Sequence, residues 1–449
     1  MTFVRTLYDD LLEWKNSPKH KPLVLRGARQ VGKTTLIRQF SHEFDNYVEL
    51  NLERADDLSV FDSENVTDIF NKAQLLKGVA AKNGTTLLFI DEIQESPKAI
   101  GLLRYFYEDR PNLHVVAAGS LLEFAMEHVG NMPVGRVLYR YLHPLNFPEY
   151  LMAIDNAMAR EALTTIPLPA YTHSVLLSLF NQYCIIGGMP EIVADHLLSQ
   201  NTATLQQGYR NLWATYVEDV EKYSQNATER KVMGHILSTA HGYLERIKFE
   251  GFGNSSYRSR EVGEAFRSLE KAKLIRLLYP TTALVPPIVP DRRKRPRLQF
   301  LDTGLLNHTL EIQGEMIGLQ DLSDVHRGHI IQHVVYQELI SIENTTDYQP
   351  NFWVREEKDS NSEVDAVYRN GPLVIPIEVK SGKQGRLRSL HQFVERSPHP
   401  YAVRMYGGEL SVEQHTTPGG TTYLLLNLPY FLTTQLPAYL AWFVDNHKL

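Results

Sequence analysis

The stretch that decides the fold reads PLVLRGARQVGKTTLIRQF and runs from Pro22 to Phe40. Its apolar beginning predicts a buried parallel strand, and its end places apolar residues at helical spacing. The segment between them has the GxxxxGK(S/T) pattern, which forms a phosphate-binding loop when a strand precedes it and a helix follows it. We therefore predict that a nucleotide binds to Gly27, Ala28, Arg29, Gln30, Val31, Gly32, Lys33, Thr34 and Thr35.

The residue types of this loop suit a triphosphate bound with a metal ion. Glycines let the backbone pass close to the phosphates, so that successive N–H groups and the positive end of the helix dipole point at phosphate oxygens. Lys33 is expected to reach the β- and γ-phosphates, and the Thr34 hydroxyl is expected to hold Mg²⁺. The predicted cofactors are therefore ATP and Mg²⁺.

A second motif, Thr85 to Glu92, supplies the acidic groups that nucleotide hydrolysis requires. Its apolar residues predict a central strand, and Asp91 and Glu92 follow at the carboxyl end, where open α/β sheets place their ligands. Asp91 is expected to bind Mg²⁺ through water. Glu92 is expected to polarise the water that attacks the γ-phosphate. Together the two motifs favour hydrolysis over binding alone.

Residues 1–145 alternate helices with apolar strands, which predicts a doubly wound α/β core with a parallel sheet. His114 to Ala118 forms another predicted strand, and Gly119 and Ser120 follow it. If this strand lies beside the one that carries Asp91, the Ser120 hydroxyl is placed to contact the γ-phosphate. A helix N-cap is the alternative role for Ser120, and the local sequence leaves both open.

Composition restricts the class of protein. The chain has 449 residues, of which 43% are hydrophobic and 22% charged, and a formal net charge of −6. A net negative charge argues against a general polyanion binder, so any nucleic-acid surface is expected to be a local patch. The single cysteine, Cys184, excludes an internal disulfide framework and a cysteine metal cluster. No signal-like or membrane-spanning apolar run is found, and we expect a cytoplasmic protein without membrane contact.

Two regions follow the predicted ATPase core. Residues 146–227 have helical patterns, interrupted by Gly187 to Pro190, and predict a helical lid. Residues 228–312 have the pattern of a winged helix, with amphipathic helices followed by a strand pair. A basic run is expected at the tip of the wing, where it either contacts nucleic-acid phosphates or is a solvated loop. It contains Arg292, Arg293, Lys294, Arg295 and Arg297.

The last region, residues 325–449, begins after a polar boundary near Asp321 to Arg327. Asn370 and Gly371 between two apolar runs predict a β-hairpin. With these two as loop residues, Asp365 lies opposite Pro376, and Glu378 and Lys380 share its face because side chains alternate along a strand. Glu338, on a predicted helix from Gly328 to Ile342, is expected to complete a metal site with Asp365 and Glu378, beside Lys380. A charged, solvated sheet face is the alternative.

Nearly the whole chain resembles prokaryotic AAA+ ATPases of a STAND-like type that carry a C-terminal restriction-endonuclease-like, or PD-(D/E)xK, domain. The resemblance rests on the motifs above and on DEIQ at 91–94, HPLNFPEY at 143–150, GGMP at 187–190 and DTGL at 302–305. It implies that Pro190 packs on the adenine and that Arg136 or Arg140 is an arginine finger or phosphate sensor. It also implies that an oligomer is possible.

Three hypotheses about function remain open from the sequence. The first is an ATP-driven protein that acts on DNA or RNA with a metal-dependent nuclease at its C-terminus, where Lys380 is catalytic. The second is a STAND-like switch or assembly factor whose C-terminal domain binds without cleaving. The third, a scaffold that is stabilised by bound nucleotide, is disfavoured because Lys33, Thr34, Asp91 and Glu92 are all present.

Overall fold

The structure is a computed structural model that describes residues 3–80, 83–126, 129, 135–199, 201–243, 245–313, 327–357, 360–381 and 387–449. Most of the predicted boundary from Asp321 to Arg327 lies outside these ranges. The chain forms two compact units. The first contains the residues up to Pro144 together with Lys271–Lys273 and Glu343–Asp347, and the second contains the remainder. The first unit thus ends one residue before the predicted end of the ATPase core.

The first unit is built on a five-stranded parallel sheet, which confirms the predicted α/β class with a parallel sheet. Its strands are β1 (Leu23–Arg26), β2 (Asn46–Asn51), β3 (Thr86–Asp91), β4 (Leu113–Ala118) and β5 (Leu138–Tyr141). Their order in the sheet is β2-β3-β4-β1-β5. The strand before the phosphate-binding loop is therefore separated from the strand that carries Asp91 by β4, which pairs with both.

Six α-helices lie in the described part of this unit. They are α1 (Leu7–Asn16), α2 (Lys33–Phe40), α3 (Ala55–Leu58), α4 (Val66–Lys77), α5 (Pro97–Asp109) and α6 (Leu122–Met126). The Asn65 side chain accepts hydrogen bonds from two N–H groups in the first turn of α4, and Gly78 ends it in a left-handed conformation. Strand β4 is buried at all six positions, as expected of a parallel strand covered on both faces.

The two later segments of the first unit pack on its sheet. The Tyr141 N–H donates to the Asn344 carbonyl over 2.8 Å, which satisfies part of the edge of β5. The Lys273 amine, whose side chain is only 8% exposed, forms ion pairs with Asp347 at 2.5 Å and with Glu123 at 3.2 Å. A backbone bond and charged contacts thus attach these segments to each other and to the rest of the first unit.

The second unit contains eleven α-helices within the described ranges, and five of them begin between residues 146 and 226. Its helices are α7 (Phe147–Ala153), α8 (Ala157–Thr164), α9 (His173–Ile186), α10 (Pro190–Ser199), α11 (Thr202–Tyr223), α12 (Ala227–Thr239), α13 (Ser259–Lys271), α14 (Thr303–Thr309), α15 (Arg327–Ser341), α16 (Arg388–Val394) and α17 (Leu436–Asn446). None of the helices in the described ranges is long and apolar enough to cross a membrane.

Two sheets complete the second unit. A pair of antiparallel strands is formed by β6 (Ile275–Leu278) and β8 (Arg297–Phe300). A mixed seven-stranded sheet contains β7 (Pro280–Thr281), β9 (Asn351–Glu357), β10 (Ser360–Asn370), β11 (Leu373–Val379), β12 (Tyr401–Tyr406), β13 (Ser411–Thr416) and β14 (Thr422–Pro429). Its order is β13-β14-β12-β11-β10-β9-β7. The predicted winged-helix and C-terminal regions both contribute strands to this sheet, because β7 pairs with β9.

The hairpin between β10 and β11 has a different register from the predicted one. Asn370 pairs with Leu373, so the loop residues are Gly371 and Pro372, and Val367 instead of Asp365 lies opposite Pro376. Gly371 has a φ of +59°, which a tight hairpin turn requires, and Pro372 has no N–H to donate to the ladder. The shift is two residues, so the side-chain alternation that places Asp365 and Glu378 on one face is preserved.

The basic run, which was expected at the tip of a wing, contacts the large sheet of the second unit. Arg297 lies within β8, and the Lys294 amine donates to the Glu356 carboxylate over 2.9 Å. Arg293 forms an ion pair with Asp291 at 3.0 Å. The chain between β6 and β8 includes β7, which joins the large sheet and draws the basic residues against β9. Arg292, Arg293 and Arg295 remain exposed.

The glycine pair of the GGMP motif is a packing element of the second unit. A β-carbon on Gly187 would lie 2.5 Å from the Asp302 carboxylate, and one on Gly188 would lie 2.2 Å from the Leu145 carbonyl oxygen. Asp302 is fully buried and accepts hydrogen bonds from the Gly188 N–H at 2.6 Å, the Tyr209 hydroxyl at 2.8 Å and the Leu305 N–H at 3.0 Å. This carboxylate thus joins three segments of the chain.

We expect Asp302→Ala to lower the free energy of unfolding of this unit by about 2–4 kcal/mol, because the buried N–H groups of Gly188 and Leu305 lose their acceptor and the Tyr209 hydroxyl keeps only the Ile186 carbonyl. Urea denaturation followed by circular dichroism measures the loss. Asn156→Ala is the matched control, since it removes a half-buried N-cap bond to the Ala159 N–H and is expected to cost about 1 kcal/mol. Equal losses in the two variants would contradict the role of Asp302.

Candidate nucleotide site and C-terminal carboxylate pair

The phosphate-binding loop has a backbone that its glycines make possible. Gly27 has a φ of +153°, and a β-carbon there would lie 2.3 Å from the Leu142 carbonyl oxygen. Gly32 has a φ of +92° and caps helix α2. Both positions disfavour larger residues, because their backbone angles are strained for a side chain and because Leu142 leaves no room at Gly27.

The Lys33 amine lies inside this loop. It donates hydrogen bonds to the Gly27 carbonyl at 3.0 Å and the Ala28 carbonyl at 2.8 Å, and the residue is 8% exposed. Burial lowers the pKa of Lys33 to about 8, while the carboxylates of Glu92 and Asp91 act to raise it. The group is a desolvated cation donor, which suits the negative charge of a phosphate chain.

Thr34 and Asp91, the two residues predicted to hold Mg²⁺ in this unit, are in direct contact. The Thr34 hydroxyl donates to the Asp91 carboxylate over 2.8 Å, and Asp91 is 4% exposed at the end of β3. Burial raises the pKa of Asp91 above its usual range. A hydroxyl and a carboxylate at this spacing provide the oxygen ligands that Mg²⁺ prefers, and they stand next to the loop lysine in the fold. The residues present therefore fit a Mg²⁺–triphosphate.

Glu92 has an unusual backbone conformation, and its carboxylate is bonded to a residue that the sequence analysis did not assign. Its φ of +52° and ψ of 45° are left-handed. The Gln94 amide donates to the Glu92 carboxylate over 2.6 Å. Gln94 belongs to the DEIQ motif, so the sequence analysis had noted this residue. A glutamine two residues after Glu92 forms no pattern, however, that predicts a contact between the two side chains.

Ser120 follows β4, which lies between β1 and β3 as its predicted role requires. It is 3% exposed, and its hydroxyl has no hydrogen-bond partner among the described residues. The first turn of the next helix is instead bonded to the Leu121 carbonyl, so Ser120 does not act as a side-chain N-cap. A buried hydroxyl that lacks a partner fits a residue that contacts bound phosphate.

Arg5 is a second residue that the sequence did not reveal. Its guanidinium donates to the Val31 carbonyl at 2.9 Å and to the His143 carbonyl at 2.6 Å, and the residue is 5% exposed. It thus fixes the phosphate-binding loop to the chain that follows β5. A single arginine far from the loop in sequence gives no local signal for this contact.

The arginines proposed as finger or sensor have partners within the first unit. The Arg136 guanidinium donates to the Glu108 carboxylate at 2.9 Å and is half exposed, and Arg140 donates to the neighbouring Tyr139 carbonyl at 3.0 Å. Pro190, the predicted adenine contact, begins helix α10 of the second unit. The roles of these three residues stay predictions.

In the second unit, the structure brings together Asp365, Glu378 and Lys380. The Val379 N–H donates to one Asp365 oxygen at 2.9 Å, and the Lys380 amine donates to one Glu378 oxygen at 2.6 Å. The other Glu378 oxygen is buried without a hydrogen-bond partner among the described residues. Burial, together with the neighbouring Asp365, raises the pKa of Glu378 to about 7.

Two residues that the sequence analysis did not place here complete the surroundings of Asp365. The Gln332 amide, on helix α15, donates to Asp365 at 2.6 Å. The Arg297 guanidinium lies 3.4 Å from Asp365, pairs with Glu363 and donates to the Tyr336 hydroxyl at 2.8 Å. Arg297, which was expected to contact nucleic-acid phosphates, therefore pairs with two carboxylates of its own chain.

Glu338 was expected to be a metal ligand with Asp365 and Glu378, and this expectation is wrong. Its carboxylate accepts hydrogen bonds from the Phe147 N–H at 3.1 and 3.2 Å and lies 2.7 Å from the Tyr183 hydroxyl. Within the described ranges, no group of three or more His, Cys, Asp or Glu side chains is placed to hold a metal ion. Glu338 projects from α15 toward α7 and α9, whereas Gln332, almost two turns earlier, faces Asp365.

With this geometry established, comparisons with known proteins agree on the first unit. Residues 19–151 match the AAA domain family. These residues are therefore similar to AAA domains, and the similarity supports the resemblance for this part of the chain. Residues 177–316 match a domain of unknown function (DUF8612), and residues 327–425 match another (DUF4143). No curated protein matches the sequence.

Solved structures with similar chains are distant. The Walker-type ATPase of Pyrococcus abyssi is 14% identical over 69% of this chain and 96% of its own, with a TM-score of 0.44. A STAND protein with a tetratricopeptide repeat sensor from Pyrococcus horikoshii is 15% identical over 76% and 46%, with a TM-score of 0.27. The S. cerevisiae Hsp104–ADP complex is 12% identical over 76% and 43%, with a TM-score of 0.28.

The surroundings of Glu338 predict a dependence of stability on pH. Burial raises the pKa of Glu338 to about 8, from an ordinary value of 4.5. Between these values the folded chain keeps a proton that the unfolded chain releases, so the free energy of unfolding falls as pH rises. Glu338→Gln retains a donor and an acceptor and should remove this loss, which is on the order of 1–3 kcal/mol between about pH 5 and pH 9.

Urea denaturation of the wild type and of Glu338→Gln across this pH range provides the test. The two are expected to have similar stability at the acid end, with the variant more stable at the alkaline end. Glu161→Gln, at an exposed position of the same unit, is the control and should follow the wild type. Parallel curves for wild type and Glu338→Gln would show that the carboxyl group is not protonated in the folded chain.

Proposed function

We propose that the protein binds and hydrolyses ATP and uses the nucleotide state to control its second unit. The observation that carries this proposal is the Thr34–Asp91 hydrogen bond of 2.8 Å, because it places the predicted Mg²⁺ ligands beside the phosphate-binding loop. Glu92 follows directly in the chain. Binding alone does not require a carboxylate at that position, whereas hydrolysis requires a group that orients and deprotonates water.

Each residue of the site has a defined part in this reaction. The loop N–H groups and Lys33 bind the phosphate chain and stabilise the charge that develops on the γ-phosphoryl group. Thr34 and Asp91 would hold Mg²⁺, which supplies charge neutralisation on the β- and γ-phosphates when bound. Glu92 orients the attacking water and accepts its proton. The Ser120 hydroxyl, which is buried without a described partner, is proposed to contact the γ-phosphate.

The remaining roles follow from the resemblance stated for the sequence. Pro190 is proposed to pack on the adenine, and the half-exposed Arg136 is proposed as an arginine finger, with Arg140 as the alternative. An arginine finger that acts on a neighbouring copy would make the active form an oligomer. We propose a cytoplasmic protein on the grounds given by the sequence.

Two substitutions separate binding from hydrolysis. Lys33→Ala should abolish ATP binding in a calorimetric titration, because the loop loses its only described buried cation. Glu92→Gln should bind ATP normally while phosphate release falls roughly 100-fold or more, since an amide cannot accept the proton. Lys19→Ala, at an exposed position of the same unit, is the control for the lysine variant. Unchanged affinity in Lys33→Ala, or normal turnover in Glu92→Gln, would reject the corresponding role.

A second candidate function concerns the carboxylate pair of the second unit. We propose that it binds Mg²⁺ or Mn²⁺ and cleaves a phosphodiester bond in DNA or RNA. The supporting observation is that Glu378 has one buried oxygen without a described partner, next to Asp365 and with Lys380 bonded to its other oxygen. Two carboxylates with water are an oxygen ligand set for such an ion. Lys380 would orient the attacking water.

A basic groove beside this pair supports a polyanionic substrate. Its volume is about 680 Å³. Its lining contains five basic residues, Arg246, Arg293, Lys294, Arg295 and Arg355, together with the acidic residues Glu245 and Glu356. Glu363, which also lines it, is two residues before Asp365 in β10 and pairs with Arg297. Phosphates in the groove would thus lie near the carboxylates. The alternative is a STAND-like switch or assembly factor in which this region binds a partner without cleaving it.

Cleavage is tested by incubating the purified chain with labelled DNA and RNA and with Mg²⁺ or Mn²⁺, with and without ATP. Asp365→Asn should abolish cleavage and weaken binding of Mn²⁺, measured by calorimetry, because a charged metal ligand is lost. Asp445→Asn, at an exposed position of helix α17, is the control. Absence of cleavage by the wild type in every condition, with ATP hydrolysis intact, would favour the non-cleaving switch.

A further inference from the structure

Gln94 connects two functional elements of the nucleotide site. It lies in a short 3-10 helix, Ile93–Glu95, directly after Glu92. Its amide nitrogen donates to the Glu92 carboxylate over 2.6 Å. Its amide oxygen is buried and has no hydrogen-bond partner among the described residues. One end of this side chain therefore holds the proposed general base, while the other end is unsatisfied.

The unsatisfied end faces the carboxyl end of β4. A β-carbon built on Gly119 would lie 2.3 Å from the Gln94 amide oxygen, a distance at which one of the two groups must move. Gly119 has no such carbon, so the glutamine is able to occupy this space. The next residue is Ser120, whose buried hydroxyl also lacks a described partner. Gln94 thus lies between Glu92 and the strand end that is proposed to contact the γ-phosphate.

We propose that Gln94 is a positioning residue that couples the γ-phosphate-contacting end of β4 to the orientation of Glu92. This inference rests on the proposed ATP hydrolysis. Without nucleotide, the amide keeps the Glu92 carboxylate in one orientation by a charge-assisted hydrogen bond. When Gly119 and Ser120 adjust to a γ-phosphate, the amide oxygen in contact with Gly119 moves with them. The amide then moves Glu92 relative to the attacking water.

The physical basis is the sensitivity of a reaction to the position of its base. Glu92 is in a left-handed conformation, which is sparsely populated for a residue other than glycine and is retained only where neighbouring groups enforce it. A displacement of about 1 Å in a reacting group reduces the rate by as much as about 100-fold. A side chain that fixes Glu92 is therefore expected to affect turnover more than ATP affinity, because it makes no bond to the loop residues that hold the phosphates.

A double-mutant cycle tests the coupling. Gln94→Ala removes the amide, and Gly119→Ala adds the carbon that collides with it. Each is expected to lower kcat roughly 10- to 100-fold, with KM and the ATP affinity close to those of the wild type. In Gln94→Ala/Gly119→Ala, the added methyl group has no amide to displace, so kcat should equal that of Gln94→Ala. Independent losses that multiply would overturn the proposal.

Gln94→Glu keeps the size of the side chain and serves as a second variant if Gly119→Ala reduces folding. It replaces the donor by a carboxylate that repels Glu92, and should lower kcat at least as far as Gln94→Ala. Normal kcat in Gln94→Ala, or a loss of ATP affinity that accounts for the lower rate, would overturn the role of Gln94 while leaving the hydrolase assignment intact. A wild type that binds ATP without turnover would instead reject the hydrolase assignment, and the premise with it.

Discussion

The hydrogen bond between Thr34 and Asp91 is the contact on which the organisation of the first unit depends. The loop follows β1 and the carboxylate follows β3, and these strands are not neighbours because β4 lies between them. Strands β1 and β3 are therefore about 10 Å apart, which is two strand spacings, and the hydrogen bond connects groups that follow these two strands. It is possible because helix α2 begins at Lys33 and carries the Thr34 hydroxyl back across the end of the sheet. The same arrangement leaves the end of β4, with Gly119 and Ser120, in the middle of the site.

The second unit depends on a different constraint, the burial of carboxyl groups with a full set of hydrogen bonds. Asp302 and Glu338 are each almost entirely inaccessible to solvent and are bonded to backbone N–H groups and to tyrosine hydroxyls. The Tyr183 hydroxyl lies within hydrogen-bond distance of both Glu338 and the Leu145 carbonyl. Because this hydroxyl has one proton, a protonated Glu338 that donates to it satisfies all three groups. These contacts hold helices together and leave no free oxygen for a metal ion.

The parts of the protein that the sequence predicted are those that local patterns specify. A strand, a glycine loop and a helix in succession determine the position of Lys33 and Thr34, and the side-chain alternation of strands places Asp365 and Glu378 on one face even though the predicted hairpin register was two residues off. Arg5, Gln332 and Arg297 escaped prediction because their partners are 26 or more residues away in the chain. A helix such as α15, buried at most of its positions, has no polar face in its sequence that shows which residue meets Asp365. Glu338 was predicted as a metal ligand from its residue type and its place on the preceding helix. The packing of that helix instead directs its carboxylate to Phe147 and Tyr183.

Arg297 relates the basic groove to the carboxylate pair. Its side chain is only 14% exposed, and a cation so poorly solvated requires compensation by carboxylates, which Glu363 and Asp365 supply. Each carboxylate balances part of the Arg297 charge, so both residues have a role in the fold whether or not the site binds a metal ion. The unsatisfied oxygen belongs to Glu378, on the adjacent strand, where Lys380 provides a single bond. Asp365 and Glu363 therefore stabilise the fold by pairing with Arg297. The buried oxygen of Glu378 that has no described partner is the feature that the fold alone does not explain.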